Sequence, residues 1–66
     1  MNSVGDELPK EMARVRELLP LYDEVPMGFI AAGMMRRSLD AAAVALAEGD
    51  VIAIIRSYQD LKAYEA

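Results

Sequence analysis

The sequence contains no cysteine and no histidine. The first absence rules out a disulfide framework, and the two together remove the commonest metal anchors. There is no surplus of positive charge either. Eleven acidic residues against seven basic ones give a net charge of −4, so the chain as a whole has no electrostatic attraction for phosphate backbones, and nucleic acid is not an expected partner. A long apolar run is also missing. The most apolar stretch covers about eleven residues, from Val25 to Met35, before Arg36 and Arg37 interrupt it, whereas a membrane span needs ~20. The opening residues MNSVGDELPKE carry neither a basic nor an apolar segment of the kind that starts a secretory signal. The expectation is a protein without membrane association, and the lack of cysteine fits a reducing, cytoplasmic setting. Ser38 and Ser57 have no histidine to activate them. With no nucleophile–base set in view, no catalytic residue, cofactor or metal ligand is assigned, and the chain reads as a non-enzyme.

What is present is apolar and helical. Of the 66 residues, 55% are hydrophobic, and many are alanine, so a disordered chain is not expected. Leu8, Met12, Val15, Leu19 and Tyr22 recur at +4 and +3, the stripe of one helix face. Asp6 suits an N-cap, and Pro9 falls within the tolerated first turn. Pro20 disfavours helical dihedrals at Leu19 and so ends this first helix. Pro26 is well placed to open a second helix. That helix runs to Glu48, where Gly49 supplies a left-handed stop and Asp50 caps a third helix at once. Val51, Ile52, Ile54 and Ile55 have strand-like composition, but the helical spacing continues through Tyr58 to Leu61. The predicted fold is therefore all-α: a three-helix domain at 7–19, 26–48 and 50–64, with the second and third helices as an antiparallel hairpin. Residues 1–6 are expected to form a flexible tail on a single domain at 7–66.

The second helix asks for a partner. Gly28, Ala32, Met35, Leu39, Ala42 and Leu46 make one seam, yet the opposite side carries Ile30, Met34, Ala41, Val44 and Ala45, broken by Arg37, Asp40 and Glu48. A helix apolar on both sides is normally covered on both. At about 23 residues it would also overhang two shorter neighbours. Gly28, Ala31, Ala32 and Gly33 leave room for a backbone to come close. Ile30, Met34, Arg37, Ala41 and Val44 are accordingly assigned to an interface, and the expected assembly is a homo-oligomer, in the simplest case a dimer, with docking of a different protein as the other use of the face. The competing reading is an alanine-rich side that tolerates water.

Other candidates have ordinary explanations beside the functional ones. Arg14, Arg16, Arg36 and Arg37 would form a basic patch if the fold gathers them; otherwise they are solvated charges beside acids such as Asp40. Asp23–Glu24 and Glu48–Asp50 are carboxylate pairs in positions that capping and solubility account for, and no calcium-loop pattern is present. Met27, Met34 and Met35 suit an adaptable surface or core filling.

Two resemblances add to this reading. Ala45-Leu-Ala-Glu-Gly-Asp50, followed by Ile54, Ile55 and Tyr58, resembles one tetratricopeptide-type hairpin, without a second copy. The stretches Arg16-Glu-Leu-Leu-Pro-Leu-Tyr-Asp-Glu-Val-Pro26 and Ala45 to Lys62 resemble short, uncharacterised all-helical proteins encoded by bacterial phages and prophages. That resemblance implies an accessory or regulatory interaction role and brings no active site. A different role is an acidic inhibitor or mimic that occludes a host or nucleic-acid-handling protein. It would need its carboxylates clustered on one face, whereas the eleven acids are spread along the chain.

Overall fold

The computed structural model describes residues 3–65. Within them the chain forms α1 (Val4–Asp23), α2 (Gly28–Glu48) and α3 (Val51–Lys62), each packed against the other two. There is no strand among the described residues, so the all-α, three-helix expectation is met.

α1 is longer than predicted at both ends. Its cap is Ser3, not Asp6. The Ser3 hydroxyl accepts from the Asp6 backbone N–H, and the Asp6 carboxylate accepts from the Ser3 N–H at 3.4 Å, a reciprocal capping box. Asp6 thus serves the helix from its third position, and Val4 to Asp6 are helical where a tail was expected. Met1 and Asn2, the rest of that expected tail, lie outside the described residues. At the other end, Pro20 is inside the helix. It lies on an exposed position only three residues before the helix ends, and its missing donor frees just the carbonyl of Arg16, another exposed residue. Continuing the helix lets Leu19 and Tyr22 pack on the core beside buried Leu18, which outweighs the loss.

Pro26 does not start α2. It precedes Met27, whose φ of 68° and ψ of 0° place it in the left-handed region. The Gly28 N–H donates to the Val25 carbonyl at 2.9 Å. Val25 to Gly28 therefore make a type II-like turn with proline at its second position. Gly28 is buried where α2 leaves α1, and a Cβ there would overlap the Tyr22 carbonyl. The smallness of Gly28 and buried Ala32 serves contacts within the chain, not the approach of a second backbone as the sequence suggested.

The α2–α3 turn is as expected. Gly49 has φ 66°, its N–H donates to the Leu46 carbonyl, and the Asp50 N–H donates to that of Ala45, both at 3.2 Å, the two bonds of a Schellman motif. The Asp50 carboxylate accepts from the Ala53 N–H at 3.2 Å, capping α3. That helix stops at Lys62, two residues short of the prediction.

The core joins Leu8, Met12, Val15 and Leu18 of α1 to Met35, Leu39, Ala42 and Ala45 of α2 and Ile54 and Leu61 of α3. One position on α2 differs from the sequence reading. Ala45, placed on the outer side of α2, is buried beside the turn to α3. On α3, Ser57 is buried as well, while Val51 and Ile55 are exposed. In both helices a small residue is buried while bulkier side chains near it stay exposed.

The far end of α3 is fastened by α1. The Arg14 guanidinium donates to the carbonyls of Leu61 and Tyr64, each at 2.8 Å, and to Glu11 Oε2 at 2.8 Å. A cation beside the end of a helix adds a charged donor there, to a Leu61 carbonyl that also accepts from the Tyr64 N–H at 3.2 Å, and complements the negative end of the helix dipole. The Tyr64 hydroxyl lies 2.9 Å from Ser38 Oγ, and the Tyr22 hydroxyl donates to the Glu65 carbonyl.

Candidate interaction site

The core positions of α2 fix what its other side presents. Gly28, Ala32, Met35, Leu39 and Ala42 turn inward. With 3.6 residues per turn, Ile30, Met34, Arg37, Ala41 and Val44 then fall on the opposite side within one narrow stripe. All five are exposed in the single chain. Ile30 is 52%, Met34 48% and Val44 55% exposed. The stripe spans fifteen residues, Ile30 to Val44, or about 21 Å along the helix. Arg37, within it, and Asp40, which borders it, make no ion pair with described residues. The expected overhang of α2 is absent. α1 has 20 residues and α2 has 21, so α1 matches α2 in length, and the stripe is uncovered because of its direction rather than its reach.

Two further apolar groups are exposed that the sequence reading did not assign. Leu21, Val25, Met27 and Phe29 surround the α1–α2 turn, and Val51, Ile52 and Ile55 lie on the outer side of α3. The first group was legible in principle, because a proline-bounded turn has little core to offer its apolar residues. The second was hidden by its own spacing, since Val51 lies three residues before Ile54 and so shares its periodicity.

The arginines are not gathered into one patch. Arg14 is engaged with α3. Arg36 donates to Asp23 Oδ2 at 3.1 Å, which also accounts for one carboxylate of the Asp23–Glu24 pair. Arg16 and Arg36 line a shallow groove of about 380 Å³ with Leu19, Leu39, Asp40 and Ala43, and Arg37 lies on the α2 stripe. Of the methionines, Met35 is core and Met27 and Met34 are exposed. Tyr58 meets Lys62, whose ammonium lies 5.1 Å from the ring centre. Among the described residues no three His, Cys, Asp or Glu side chains are placed to hold a metal ion, and no helix is long and apolar enough to cross a membrane.

No protein-family model matches the sequence, and no curated protein or solved structure is significantly similar to it.

Proposed function

We propose that this chain is a non-enzymatic interaction module that self-associates through the outer face of α2, forming a homodimer that works as a phage-type accessory protein in the cytoplasm. The observation that carries the reading is the Ile30–Met34–Val44 stripe, about half exposed on the side of α2 away from the core. Contiguous apolar surface of this kind marks interaction sites more often than it persists on monomers, and a closed two-fold pair is the commonest way to cover it. The small core supports the same view, since a chain of this length buries only about 60% of the surface it exposes unfolded. The alternative, an acidic inhibitor that occludes a basic surface, has less behind it, because the exposed side of α2 is apolar and carries Arg37.

Light scattering with sedimentation at high micromolar concentration tests the proposal. The expected mass is twice that of the 7.2 kDa chain. Met34→Glu should return it to a monomer with unchanged helix content by circular dichroism, because Met34 is not part of the monomer core. A folded monomer from the unmodified chain would overturn self-association and leave the face to a different protein.

A further inference from the structure

We infer that two copies pair antiparallel along α2, with Met34 of each copy against the partner's Val44 and Arg37 over the partner's Ala41. The inference rests on the self-association reading above and adds direction and register. Three observations lead to it. The first is bulk. The N-terminal half of the stripe carries Ile30, Met34 and Arg37, and the C-terminal half carries Ala41 and Val44. An antiparallel two-fold axis sets Met34 against Val44 and Arg37 against Ala41, the larger against the smaller, whereas a parallel pair would set Ala41 against Ala41 and leave a gap between helices that Ile30 and Met34 hold apart.

The second is charge on the stripe. With the axis at the level of residue 39, Arg37 faces the partner's Ala41, whose small side chain lets the guanidinium reach the partner's Asp40 one residue away. Both groups lack an ion pair with described residues of their own chain. A parallel pair would oppose Arg37 to Arg37.

The third is the helix ends. α2 has no acidic residue in its first turn, no side-chain cap from Met27 and no basic residue in its last turn, so both poles of its dipole are uncompensated from within. The same register brings the partner's Glu48 beside Ile30, a carboxylate against the positive end, and opposes the two macrodipoles.

Because the chain has no cysteine, single spin labels can be placed at Ala43→Cys or Ala47→Cys, both exposed and outside the stripe. In the antiparallel dimer the two copies of position 43 lie about 12 Å apart along the axis and those of position 47 about 24 Å. Electron–electron distance measurement should then show a clear lengthening from the first label to the second. A dimer by mass with equal distances at the two sites would overturn the antiparallel pairing while sparing self-association. A monomer by mass would overturn both.

Discussion

Met27 holds φ 68° while the glycine beside it is helical, so the residue built for left-handed dihedrals is not the one that adopts them. The exchange follows from the Tyr22 carbonyl, which leaves no room for a Cβ at position 28. The left-handed region costs a non-glycine residue roughly 1–2 kcal/mol, and exposed Met27 makes little packing to offset it within one chain. Met27→Gly should therefore stabilise the fold by about 1 kcal/mol, part of the relief being offset by a freer unfolded chain. Gly28→Ala should destabilise it by about 1–3 kcal/mol, as overpacking does. Urea titrations with an unchanged slope would check both; equal midpoints for the two variants would contradict this account of the turn.

At the scale of the helices, α3 is the shortest and the one most dependent on its neighbours. Asp50 caps its start, and at its end Arg14 adds a charged donor to the backbone bonds of Ala63 and Tyr64. Hydrogen bonds to a charged donor contribute about 1.5–3 kcal/mol, so Arg14→Ala should lower stability by roughly that range and raise amide exchange first in the last turn of α3. Exchange unchanged there would mean that the carbonyls are equally well served by water. How much of each helix could be read from the chain follows the same division between local and distant causes. The Gly49–Asp50 turn was legible because its bonds lie within six residues. The start of α1 was misplaced because Ser3 and Asp6 are both good caps and only their reciprocal bonding ranks them. Its end was misplaced because the packing of Leu19 and Tyr22, a tertiary effect, overrides the local preference at Pro20. The burial of Ala45 and Ser57 was not legible, since it depends on how the helices pack against one another, a tertiary effect. The α2 stripe was visible from periodicity alone, whereas the exposed residues of α3 were not, because twelve residues give too few turns to orient a face.

The whole molecule is elongated, 38 × 21 × 15 Å with a radius of gyration of 12.0 Å, where a chain of this length packed to average compactness would have about 10.8 Å. Three helices laid side by side give such a shape, and it leaves one side of α2 without a neighbour. The joining of α2 to α3 without a loop also bears on the order in which the molecule assembles. Contacts across the Gly49–Asp50 connection lie close in sequence, whereas Arg14 meets Leu61 and Tyr64 across 47 and 50 residues. Closing the longer span costs more chain entropy and comes late. The hairpin should thus be largely formed at the rate-limiting step, with α1 docking afterwards. In stopped-flow experiments Gly49→Val should chiefly slow folding, and Arg14→Ala should chiefly hasten unfolding. The opposite partition would put the nucleus at the α1–α3 contact. If the expected order holds, the lifetime of the folded molecule is governed by how long α1 keeps its grip on the end of α3, and the hairpin alone sets how quickly that grip can be regained.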